Sequence, residues 1–175
     1  SPEKMIADIK TQGWLQCDLV AGEALRAYLN SNDIEGLGGI PDYWLLITHS
    51  CSVQNNCLTK VPNVEWIAIR KITGKKANSS LTNAHNPRIY HLSLPPEPAR
   101  CHLEIKIEQR VWCSRCALRN IADQRITHVV ELNLQAKKNI AYWVSHSYNR
   151  ISLPTELVNR LRSNGISPCI NSFLE

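Results

Sequence analysis

Two stretches of this chain carry side chains whose types and spacing could do chemistry. The first is His49-Ser50-Cys51, at the end of a long apolar run, with Cys57 following after a turn. A thiolate is both a nucleophile and a metal ligand, and it forms where a base or cation lies close by. Alternation along a strand would send His49 and Cys51 to the same face, so the two are expected to meet. The pair then reads as a nucleophile with its base, as two metal ligands, or as a buried structural cysteine beside a histidine. The second stretch is Cys113-Ser114-Arg115-Cys116, a spacing that suits two thiolates on one zinc knuckle. Two ligands are half a site, and His49, Cys51, Cys57, Cys101 and His102 are the partners available to complete it. A redox pair and two unlinked cysteines are the other readings.

Two further groupings have weaker logic. Asp42, Glu104 and Lys106 are the residue types with which one nuclease class holds magnesium and positions water, but two strands and a long loop separate Asp42 from the other two, and coincidence is the reading preferred. Tyr142, His146 and Arg150 recur every four residues on one predicted helix. Aromatics interleaved with cations stack bases and neutralise phosphates, and the same residues would serve equally as a packing seam between helices. Lys106, Arg110, Arg115, Arg119 and Arg150 all fall in the second half of the chain, which makes that half the expected contact surface for an anionic partner. Twenty Lys and Arg against fifteen Asp and Glu give a net charge of +5, which attracts an anion only if gathered on one face. A plain solvated face is the alternative.

The elements that must position these groups follow from hydrophobic period. Met5, Ile6 and Ile9 fit a first helix, and Gly13 leads into Trp14 to Val20, read as a strand. Leu25, Tyr28 and Leu29 have helical spacing within 23–30, and Gly36-Leu37-Gly38-Gly39 breaks regular structure. Tyr43 to Ser50 is a nearly continuous apolar run, predicting a strand covered on both faces. Val64 to Arg70 predicts a second core strand. Residues 74–100 are polar and proline-rich and read as a surface excursion holding one edge strand, Ile89 to Leu94. Leu103 to Glu108 alternates as a half-buried antiparallel strand. Asn133 is placed to cap a helix carrying Leu134, Ile140, Ala141 and Val144 on one face, and Pro154 opens a last helix with Leu153, Leu157, Val158 and Leu161 as its stripe, stopped by Gly165.

The 175 residues fit a single domain with its own core, divided into a β-rich part over about 1–118 and a helical part over about 119–175. The fold class expected is mostly β with C-terminal helices, an α+β arrangement in which a small SH3-like barrel or a curled antiparallel sheet is capped by helices. No run approaches the roughly 18 apolar residues of a membrane span, and an odd count of seven cysteines fits reduced thiols, so a cytoplasmic protein is expected. Exposed sheet edges make a homodimer an expectation as well.

The order of elements resembles the SH3-like barrel of MazF/PemK-type toxins. The matching pieces are Gly13 to Val20, Trp44 to Asn55, Val64 to Arg70 and Ile105 to Leu118. The resemblance implies metal-independent cleavage of RNA. Ile69-Arg70-Lys71-Ile72-Thr73 stands where the family has a Pro-Leu-Thr-Ser run, so Arg70 and Thr73 become the implied catalytic pair, and no arginine precedes Trp44 on its strand. The chain also resembles uncharacterised bacterial proteins in which a strand ends in a His-Asp-Cys-Asp-like segment, at His49-Ser50-Cys51-Ser52 here. The leading expectation is a non-enzymatic module that binds nucleic acid or a partner protein, within a bacterial stress or defence system. A ribonuclease using Arg70 and Thr73 is the alternative. A zinc-stabilised domain on Cys113, Cys116, Cys51 and His49, or a cysteine hydrolase on His49 and Cys51, is the third; no other cofactor is implied.

Overall fold

The computed structural model of the chain describes residues 2–72, 79–82, 84–93, 102–126 and 132–148. Thr73, Cys101, Arg150 and the expected last helix with Pro154 lie outside them. In chain order the main elements are α1 (Pro2–Thr11), β1 (Leu19–Ala21), a 3-10 helix (Gly22–Tyr28), α2 (Ser31–Gly36), β2 (Tyr43–Leu46), α3 (Ser50–Val53), β3 (Asn63–Ile72), β4 (Ile89–Ser93), β5 (His102–Ser114), α4 (Ala117–Asn120) and α5 (Leu134–Tyr148). The five strands form one antiparallel sheet in the order β1-β2-β3-β5-β4.

β3 is the wall that divides the core in two. Val64, Trp66 and Ala68 point to one face, where they meet Trp14, Trp44, Leu46, Val111 and Cys113 under Ile9 of α1 and Leu118 of α4. Ile67 and Ile69 point to the other, where Leu45, Tyr90, Leu103 and Ile105 receive Ile140, Trp143 and Val144 of α5. Both faces are apolar, so both must be covered, and helices cover both. The α+β class with a curled sheet therefore holds, while the barrel alternative does not. β1 and β4 end the sheet on opposite sides rather than pairing with one another.

A single irregularity decides which residues of β5 face which core. Ile67 pairs with Arg110, but Ile69 pairs with Ile105. Between these pairs β3 supplies one residue (68) and β5 four (106–109), an excess of three. Because side chains alternate with period 2, an odd excess reverses the facing of everything beyond it. Leu103 and Ile105 thus join the α5 side, while Val111 and Cys113 join the opposite one. Arg110 and Trp112 are thereby brought to the α5 side.

Two expected strands are shorter than read. Trp14 to Asp18 is a turn, because the Asp18 carboxylate accepts the Leu15 N–H at 2.9 Å and Gly13 and Cys17 take φ of +63° and +71°. Only Leu19–Ala21 is left to pair with β2. β2 stops at Leu46 instead of reaching Ser50, since His49 turns the chain into α3 and its carbonyl accepts from Ser52 at 2.9 Å and Val53 at 3.0 Å. At Gly22 a Cβ would lie 1.8 Å from the Pro41 carbonyl oxygen, and the Gly22 carbonyl accepts from Trp44 Nε1 at 2.9 Å, so only glycine allows this approach. Asn133 caps α5 as expected, its Oδ1 accepting from the Ala136 N–H at 2.8 Å. Among the described residues no helix is long and apolar enough to cross a membrane.

Candidate binding cavity

An open cavity of about 340 Å³ lies between α5 and the sheet. Its floor is β3, where Asn63 and Glu65 alternate onto the α5 side. Trp112 of β5 stands directly opposite Glu65 in the register. Ile47 and Thr48 beyond β2, His49 at the start of α3, and Val144 and Tyr148 of α5 complete most of the wall.

The wall is pinned by local hydrogen bonds. The Thr48 hydroxyl accepts from the Glu65 N–H at 2.6 Å, and the Ile47 N–H donates to the Glu65 carbonyl at 3.0 Å. Gln16 braces the same edge, its Nε2 donating to the Ile47 carbonyl at 2.9 Å and its N–H to Ser50 Oγ at 2.9 Å.

Glu65 is 5% exposed, and a carboxylate so buried needs partners. It has two: Arg110 Nη1 lies 3.3 Å from Oε1, and the Tyr148 hydroxyl donates to Oε2. The Arg110 guanidinium also lies 5.1 Å from the centroid of the Tyr148 ring. Tyr148 is 56% exposed as a whole, but partial desolvation of its hydroxyl, then the bonded carboxylate, pushes the phenol up to about 12. Trp112 contrasts with the other tryptophans: it is 58% exposed, while Trp14, Trp44, Trp66 and Trp143 are at most 1% exposed. An aromatic platform thus borders a polar-floored cavity of the size that takes small planar groups.

No protein-family model, curated protein or solved structure matches the chain.

His49, which lines the cavity, meets Cys51 as expected, but through helix capping rather than strand alternation. His49 is the N-cap of α3, its Nδ1 accepting the Cys51 N–H at 3.4 Å and lying 3.0 Å from Cys51 Sγ. Both side chains are exposed. Of the two cysteines of the expected zinc knuckle, Cys113 is buried and Cys116 half-buried, and burial pushes the Cys113 thiol up to about 11. Among the described residues no three His, Cys, Asp or Glu side chains gather to hold a metal.

Among the described residues, the expected contact cations Lys106, Arg110, Arg115 and Arg119 have internal partners. Lys106 is 3.1 Å from Glu104 and Arg119 is 2.8 Å from Asp8. Arg115 is 1% exposed, and its Nη1 donates to the carbonyls of Ser52, Val53 and Asn55. Arg70 donates to the carbonyls of Leu37, Gly39 and Ile40, which makes it a clamp on the glycine-rich loop. Asp42 accepts the Lys71 N–H at 2.8 Å. Tyr142 and His146 form an edge-on pair with centroids 4.3 Å apart on the solvent face of α5. The packing seam of that helix is Ile140, Trp143 and Val144 instead.

The cavity's own residues, Glu65, Trp112 and Tyr148, were not singled out by spacing. One signal was present: Glu65 interrupts an apolar strand, and a lone acid at such a position demands a buried partner. Trp112 carried none, because β5 was expected to end at Glu108.

Proposed function

We propose that the chain is a non-enzymatic nucleic-acid-binding module that takes an unpaired base against Trp112. The observation that carries this reading is an exposed tryptophan bordering a cavity floored by Asn63 and Glu65. Base–aromatic stacking supplies the affinity, and a side-chain amide such as that of Asn63 can hydrogen-bond a base edge. The reading rests on stacking and not on five cations that have partners within the fold: Lys106, Arg110 and Arg119 face carboxylates, and Arg70 and Arg115 serve carbonyls.

The test is a fluorescence titration with single-stranded homopolymers. Trp112 emission is quenched on binding, and Trp112→Ala weakens affinity by about 1–3 kcal/mol, the value of one stacked base. The logarithm of the binding constant falls with the logarithm of salt at a slope no steeper than about −1.4, equivalent to roughly two phosphates on a single strand. The RNA stays intact. An unchanged affinity in Trp112→Ala, or a much steeper salt slope, refutes the proposal; defined fragments would favour the ribonuclease reading.

A further inference from the structure

Trp112 shares the cavity with a second aromatic ring, that of Tyr148 at the end of α5, and both side chains are more than half exposed. The other large side chains on that side of α5, Ile140 and Trp143, are spent on packing. An aromatic that stays out of such a seam and is nevertheless fixed in place has a face to offer a ligand. Tyr148 is fixed twice. Its hydroxyl donates to Glu65, and the Arg110 guanidinium lies over one face of the ring, 5.1 Å from the centroid, which leaves the opposite face for a ligand. Glu65 is also the residue directly across the register from Trp112. The two rings, one from the helix and one from the sheet, thus converge on the same carboxylate, and the Tyr148 ring is ordered before any ligand arrives.

We propose that the base taken by this cavity is an unpaired purine, held between Trp112 and Tyr148 with one ring on each of its faces. The proposal rests on the base-stacking reading above and names the ligand of that same site. Stacking grows with the area of overlap, so a second aromatic face adds most for a bicyclic base and least for a pyrimidine. A cavity of about 340 Å³ has room for the fused ring. Tyr148 is then a specificity-determining residue, while Trp112 supplies affinity for any base.

The test uses short DNA strands that carry a single adenine, guanine, cytosine or thymine in an otherwise abasic backbone, so that phosphate contacts are the same in all and only that base can stack. Binding to the full chain is read by fluorescence polarisation of an end label. The wild type is expected to hold either purine about tenfold more tightly than either pyrimidine. Tyr148→Leu should bring that ratio to within about twofold of unity, whereas Tyr148→Phe, which keeps the ring and loses the bond to Glu65, should leave it within about twofold of wild type. Selectivity is the readout because a merely structural role for Tyr148 would weaken every strand alike. Base-bearing strands that bind no better than a wholly abasic one remove the base-stacking reading and this proposal with it. If Trp112→Ala weakens binding of every base but the wild-type ratio is near one, or survives Tyr148→Leu, the purine assignment alone is overturned. The wild-type ratio needs no variant, so the proposal remains open to refutation even if Tyr148→Leu does not fold.

Discussion

The phenol of Tyr148 shows how one residue can make the fold sensitive to pH. Its hydroxyl donates to the buried Glu65 carboxylate, a bond that only the neutral phenol can make. The folded-state value is raised from 10.0 to about 12, so the stabilisation is complete below pH 10 and is lost as the pH climbs through about 12. Alkaline denaturation of the wild type should therefore contain a component in that window that Tyr148→Phe lacks. Curves of the same shape in both would show that the contact contributes nothing. At this scale, the contact of His49 with Cys51 was legible because two reactive residues stood close in sequence. The contact between Tyr148 and Glu65, far apart along the chain, was not, because no local pattern records which helix will cover which strand.

Arg115 belongs to the scale of elements, since it fastens α3 to the junction of β5 and α4. Its Nη1 donates to three carbonyls at 3.0–3.3 Å. Arg115→Met keeps the apolar stem and strands those carbonyls, which should lower stability by roughly 2–4 kcal/mol. A urea melt checks it: the midpoint falls while the slope is unchanged. A midpoint within error of wild type would mean that water replaces the guanidinium at no cost. The strands over Val64 to Arg70, apolar on both faces, and over the strictly alternating Leu103 to Glu108 are legible from their side-chain patterns. The errors fell where side chains rewrote the backbone, at Asp18 capturing Leu15 and at His49 capping α3. Propensity favours strand at both places, and a local hydrogen bond overrides it.

Across the whole molecule, the sheet shares its residues between two cores, so neither is expected to survive without the other. Among the described residues the two most buried thiols test this, one on each side: Cys113 lies with Trp66, and Cys17 lies beneath α5. Burial pushes both up to about 11, so both are unreactive until the chain opens. Pulsed thiol labelling across a urea series, read by peptide mass, should give coincident midpoints for Cys17 and Cys113. Separate midpoints would mean that one layer peels away first. The charge count was legible from composition, but its distribution was not. Spacing along a chain does not reveal that Lys106 and Arg119 will each find an acid from the same fold.

The three surplus residues of β5 act like a frameshift in the sheet. Upstream of them odd-numbered side chains look toward α5, and downstream even-numbered ones do. Lengthening or shortening 106–109 by one residue would invert that phase, turning Arg110 and Trp112 inward among tryptophans and rotating Val111 and Cys113 out toward solvent. The cavity would lose its platform and Glu65 its cation without any change to a residue that touches either.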